Sequence, residues 1–229
     1  MSAIPALRAT LESLGARALD FLFTPRCVGC RREGAYLCEP CLAQVARLEG
    51  PYRPVTDHRD DAEPLAVPLS YSPFAMKGAI RQAVHDLKYR GVRALAPLLG
   101  AAMAEHAQRS GLRADLLVPV PLHRTRLRER GYNQAELLAR EVGRRMRLPV
   151  DSETLARVRH GSPQAMSGDA AERRAEVREA FQARRKLPAR RVLLVDDVCT
   201  TGATLNACGR ALKRTGVQQV LGLTLAREL

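Results

Sequence analysis

The run Val192-Leu193-Leu194-Val195-Asp196-Asp197-Val198-Cys199-Thr200-Thr201-Gly202-Ala203-Thr204 constrains this chain more than any other stretch. Its four consecutive apolar residues predict a strand buried on both faces, and such strands belong to parallel sheets. Asp196 and Asp197 follow at the carboxyl end, where open α/β sheets collect their ligands. Thr200, Thr201, Gly202, Ala203 and Thr204 then turn the chain into a helix expected over residues 205–213. Gly202 permits a tight turn with positive φ, and the threonine hydroxyls stand beside the unpaired N–H groups of a helix start. That arrangement is a cradle for a phosphate dianion, assisted by the helix macrodipole. The two carboxylates repel a phosphate. They suit sugar hydroxyls, or the water around a magnesium ion.

A second pattern lies near the start. Cys27-Val28-Gly29-Cys30 and Cys38-Glu39-Pro40-Cys41 form two Cys-x-x-Cys pairs, spaced so that four thiolates converge on a tetrahedron. No stretch is long enough for a transmembrane helix, and residues 1–23 carry charges at Arg8, Glu12, Arg17 and Asp20, unlike a signal-peptide core. A cytoplasmic, reducing home is therefore expected, where thiols bind structural Zn2+ rather than pair as disulfides. With four cysteines and no open position the site reads as structural, and a knuckle of this kind can also bind DNA or protein.

The remaining chain supplies more of the same architecture. Leu7, Leu11, Leu14, Ala18 and Leu22 recur at helical spacing, predicting an amphipathic N-terminal helix within residues 1–23. Residues 24–48 form the expected zinc module, and 49–64, rich in Pro and Asp, a linker. Residues 65–229 form one α/β domain. A strand is expected at 65–71, helices at 74–89 and 94–108, a buried strand at 115–121, a helix at 135–147 and a last strand at 218–226. The strand–loop–helix order thus occurs twice, as in βαβ units. The loop after residue 121 holds His123, Arg124, Arg126, Arg128 and Arg130, either a set of anion-gripping forks or a solvated basic loop. Residues 155–181 include Arg157, Arg159 and Gln164 and a polar run at 167–178. They read as a mobile excursion between strands or as a surface helix laced with ion pairs. A formal net charge of +13, mostly from arginine, favours anionic partners, though arginine on solvated helix faces gives the same sum.

The 192–204 run resembles the signature of type I phosphoribosyltransferases: four apolar residues, two acids, two further residues, then Thr-Thr-Gly-x-Thr, with Cys199 its one unusual occupant. The resemblance implies that Asp196 and Asp197 hold the ribose hydroxyls of phosphoribosyl pyrophosphate (PRPP). It further implies that Thr200, Thr201, Gly202, Ala203 and Thr204 hold its 5-phosphate and that Mg2+ accompanies the pyrophosphate. In such enzymes the loop after the earlier strand grips the pyrophosphate, here His123, Arg124, Arg126 and Arg128. A flexible loop just before the signature strand closes over PRPP, here with Arg157, Arg159 and Gln164.

Three further features narrow the resemblance: the cysteine pairs, Leu87-Lys88-Tyr89-Arg90-Gly91, and Arg130-Gly131-Tyr132-Asn133-Gln134-Ala135-Glu136. Together they are similar to the competence protein F (ComF/GntX) family over nearly the full chain. The family resemblance implies a zinc module fused to a phosphoribosyltransferase fold, acting in the cytoplasm on incoming single-stranded DNA with DNA-uptake and recombination proteins. Some relatives are named for gluconate uptake. An active transferase on a nitrogen acceptor is the alternative. In 6-oxopurine phosphoribosyltransferases an aspartate base stands in the segment occupied here by Thr200 and Thr201, and no N-terminal catalytic cysteine is evident. Neither purine salvage nor glutamine amide transfer is expected.

Overall fold

The computed structural model describes residues 24–53, 65–159 and 179–229. The expected N-terminal helix, residues 54–64 and Gln164 lie outside them. The chain divides into two compact units, residues 1–44 and 45–229.

In the first unit the described chain makes an antiparallel bridge between Arg26 and Glu33, then enters a short helix, α1 (Glu39–Ala43), with proline in its first turn. Proline suits that position because its missing N–H has no helical partner to lose. Cys27, Val28 and Leu37 are buried.

The second unit is a parallel sheet flanked by helices, as expected. Its strands are β1 (Ser70–Tyr71), β2 (Phe74–Ala75), β3 (Leu116–Pro119), β6 (Arg191–Cys199) and β7 (Gln219–Arg227). The order is β1-β7-β6-β3, β2 pairs with β7 beyond β1, and every pair is parallel. Parallel neighbours need crossovers, which the helices supply. These are α2 (Gly78–Tyr89) and α3 (Ala96–Arg109) between β2 and β3, α5 (Gln134–Met146) beyond β3, and α6 (Ala203–Lys213) between β6 and β7. Both faces of the sheet are thereby covered. All four β3 residues and Val192 to Asp197 of β6 are buried accordingly. Gly209 lets α6 approach closely, since a Cβ there would stand 2.6 Å from Val67 Cγ2. Outside this sheet, β4 (Leu155–Arg157) and β5 (Phe181–Ala183) form an antiparallel pair.

Four local expectations change. The strand expected at 65–71 shortens to β1, because Pro68 has no N–H to give a ladder. The helix expected from Phe74 begins at Gly78, since Phe74 and Ala75 extend the sheet edge against Ala226 and Arg227. Within the stretch expected as linker, Tyr52 pairs with Ser70, and its hydroxyl lies 3.3 Å from Ser72 Oγ, so the ring is held on the sheet edge. The basic loop after Pro121 is a helix, α4 (Arg124–Arg130). Arginine, leucine and glutamate favour helix, His123 caps its start and Gly131 (φ 77°) ends it.

Candidate functional site

Strand β6 runs through the acid pair to Cys199 rather than ending before it. Asp196 and Asp197 are both buried, and the Asp197 N–H donates to Asp196 Oδ1 at 2.8 Å. Two buried carboxylates are strongly unfavourable unless compensated. Lys88, in the last turn of α2, supplies one compensation: its Nζ stands 2.8 Å from Asp197 Oδ2. That oxygen nonetheless receives no aligned hydrogen bond, so the contact is a charge pair rather than a directed bond. Asp196 is pushed well above the ordinary carboxylate range, first by burial and then by the neighbouring Asp197 charge, with the Asp197 N–H and Lys88 opposing.

Three residues beyond the acids the chain turns. Thr200 and Thr201 are exposed, Gly202 adopts φ 86° as the N-cap of α6, and Thr201 Oγ1 accepts from the Ala203 N–H at 3.3 Å. Only with Asn206, donating to the Gly202 carbonyl at 2.9 Å, does the helical ladder begin. The N–H groups of Ala203, Thr204 and Leu205 precede that rung, at the positive end of the helix. Acids and turn therefore sit side by side at one end of one strand.

Helix α4 sorts the expected pyrophosphate residues. Arg126 and Arg130, one turn apart, line a groove of about 380 Å³ with Lys88, Tyr89, Glu129 and Tyr132. Arg124 and Arg128, also one turn apart, are exposed and absent from that lining. His123 acts as the helix cap, its Nδ1 accepting from the Thr125 N–H at 3.3 Å. Arg157 lies within electrostatic reach of the acids. Burial and then Arg126 lower its pKa, while Cys208 and Asp196 oppose the shift. Its guanidinium stacks over Phe181 at 5.4 Å. Arg159, by contrast, pairs with Glu179 at 2.6 Å.

Sequence reasoning gave Lys88 no role. The available signal was its place beside the buried helical stripe Ile80, Val84 and Leu87, at the end of α2. Much of the Arg130 to Glu136 block is architectural. The Tyr132 hydroxyl donates to the Leu87 carbonyl, Arg130 to Gln134, and Asn133 both caps α5 and reaches the Val120 carbonyl at 3.0 Å. These bonds tie α2, β3, α4 and α5 together and fix the backbone beneath Lys88.

In the first unit the sulfurs of Cys27, Cys30, Cys38 and Cys41 all lie within 4.8 Å of one another. Four thiolates at about 2.3 Å from one zinc would stand about 3.8 Å apart. Cys30 and Cys38 Sγ are already 3.6 Å apart, and the Cys38 N–H donates to Cys27 Sγ at 3.4 Å. Burial opposes ionisation of Cys27, but backbone N–H groups from Cys38, Cys30 and Gly29 outweigh it and bring its pKa down to about 6. Cys41 is pushed up to about 12, chiefly by its hydrogen bond with Cys38 and by burial. A divalent cation relieves that crowding, and the cluster can hold a zinc ion.

The comparisons agree with this geometry. The phosphoribosyl transferase domain model matches residues 130–228. Competence protein F of Haemophilus influenzae is 37% identical over 139 residues, 59% of this chain and 60% of that protein, so the match spans less than two thirds of the relative. DNA utilization protein YhgH of Escherichia coli O157:H7 is 29% identical over 194 residues, 84% of this chain and 78% of the relative. The glutamine PRPP amidotransferase of B. subtilis is 20% identical and covers 57% of this chain and 26% of its own, with a TM-score of 0.39. No helix among the described residues is long and apolar enough to cross a membrane. With a phosphoribosyltransferase fold, a four-cysteine cluster and relatives named for competence and DNA utilization, the chain belongs to the competence protein F (ComF) family.

Proposed function

We propose that residues 45–229 bind PRPP with magnesium, and that the protein serves the handling of incoming single-stranded DNA in the cytoplasm. The observation that carries this reading is the buried Asp196–Asp197 pair beside the Gly202 turn, at the carboxyl end of one strand. The carboxylates accept hydrogen bonds from ribose hydroxyls and attract magnesium-bound water. The 5-phosphate meets the N–H groups of residues 203–205 and the hydroxyls of Thr200, Thr201 and Thr204. Lys88, Arg126 and Arg130 face the pyrophosphate from the groove. Zinc in the Cys27, Cys30, Cys38 and Cys41 cluster stabilises the first unit. Arg157, Arg159 and Gln164, the last outside the described residues, belong to the segment proposed to close over the bound sugar.

The outward arginines Arg124 and Arg128, free of the groove, support the nucleic-acid part of the reading, since they are placed to meet strand phosphates. Calorimetric titration with PRPP, with and without magnesium, tests the binding. Saturable, magnesium-enhanced binding is expected, and no heat under either condition refutes it. Pyrophosphate release on adding amines or nucleobases separates transfer to a nitrogen acceptor from binding alone.

A further inference from the structure

Lys88 stands where the acid pair and the arginine groove meet. Its ammonium is 2.8 Å from Asp197 Oδ2 without an aligned hydrogen bond to that oxygen, while its side chain also lines the groove beside Arg126 and Arg130. It is 23% exposed against 4% for Asp197, so the cation sits at the rim and the acid beneath. The backbone below is held, because Leu87 is fully buried and its carbonyl takes the Tyr132 hydroxyl. What can move is the side chain, a compact charge on a flexible four-carbon stem rather than a planar fork. At one end of its reach is a buried carboxylate. At the other is a groove with two guanidinium groups suited to a dense anion.

We propose that Lys88 is a displaceable counter-ion. In the empty site it neutralises Asp197 and keeps divalent cations off the acid pair. When a metal-bound sugar carrying an anomeric diphosphate enters, the ammonium moves onto the diphosphate and frees the carboxylate for the sugar and its metal. This deepens the PRPP reading above and rests on it. The device couples metal and ligand uptake, because the acids become available only when another anion takes their cation.

The test uses the full chain with Mn2+ in place of magnesium, following the free-ion paramagnetic resonance signal with and without PRPP. The wild type is expected to leave free Mn2+ unchanged alone and to take it up once PRPP is added. Lys88→Met is expected to take up Mn2+ without PRPP and to bind PRPP about tenfold or more weakly, one charge-assisted contact being lost. Lys88→Arg keeps the charge in a fork and is expected to exclude Mn2+ like the wild type while binding PRPP more weakly. Mn2+ exclusion by folded Lys88→Met, or wild-type PRPP affinity in it, overturns the proposal. Should melting show Lys88→Met unfolded, wild-type PRPP affinity in Lys88→Arg overturns it instead. A wild type that binds no PRPP refutes the proposed function, and the displacement step with it. The Mn2+-alone comparison of wild type and Lys88→Met then still decides whether Lys88 guards the acids.

Discussion

The cysteine cluster and the acid pair both gather like charges into a small volume, and their surroundings differ. Cys27, Cys30, Cys38 and Cys41 have backbone N–H groups for partners, Cys38 N–H on Cys27 Sγ among them, and their crowding drives Cys41 up to about 12. Asp196 and Asp197 have a cation from their own chain, Lys88, which offsets one charge and leaves Asp196 pushed upward by burial and by its neighbour. The first cluster needs one divalent ion to close it, so binding and folding are the same event. The second is half-compensated and retains its fold without ligand, with one acid still seeking a partner. A structural site and a ligand site are thus told apart by how much of their charge the chain itself balances.

Breaking the closed cluster gives the largest effect. Apparent zinc affinities in small thiolate modules amount to on the order of 10 kcal/mol, so Cys38→Ser should unfold the first unit. Hydrogen exchange at residues 27–41 is then expected to reach that of an unstructured chain, while residues 191–199 keep wild-type protection. Elemental analysis should find zinc in the wild type and lose it in the variant.

Next comes the open pair. Hydrogen bonds to a charged group contribute about 1.5–3 kcal/mol, so Asp197→Asn should weaken PRPP binding by about ten- to a hundredfold in a calorimetric titration. Asp196 adds a pH dependence with a defined sign. Its folded-state pKa lies above its unfolded value, so its favourable contribution is full below the ordinary carboxylate range and is lost as pH rises through the folded value. Asp196→Asn is therefore expected to melt above the wild type at neutral pH, with the gap closing on acidification. A gap that widens on acidification would contradict the assignment.

The smallest effect separates the two faces of α4. Arg124→Ala with Arg128→Ala should leave PRPP affinity within about twofold yet lower the salt slope of single-stranded DNA binding by about 2, one phosphate contact per arginine. Arg126→Ala with Arg130→Ala should do the reverse. Equal effects of the two pairs on PRPP would dissolve the distinction.

Much of this was legible in the sequence because its signals were local. The apolar run 192–195, the acids and the Gly202 hinge are consecutive, and both Cys-x-x-Cys pairs fall within 15 residues. Buried parallel strands announce themselves by unbroken apolar composition, so the sheet was readable too. What was not legible depends on long-range placement. Lys88 and Asp197 are distant in the chain, and nothing local marks their meeting. The arginines of α4 divide into groove-facing and outward sets only once the segment is a helix, and a run of alternating arginines gives no apolar stripe to reveal that helix. Phe74 and Ala75 carry a helical pattern forward, but pairing with β7 outweighs it, as tertiary context commonly overrides weak propensity.

Hydrogen exchange on the full chain, with and without PRPP and magnesium, tests the central claim most directly. The account predicts slowed exchange at residues 196–205, where the acids and the Gly202 turn adjoin, with no change at residues 27–41. Exchange at 196–205 that is indifferent to PRPP, or protection confined to other segments, would contradict it.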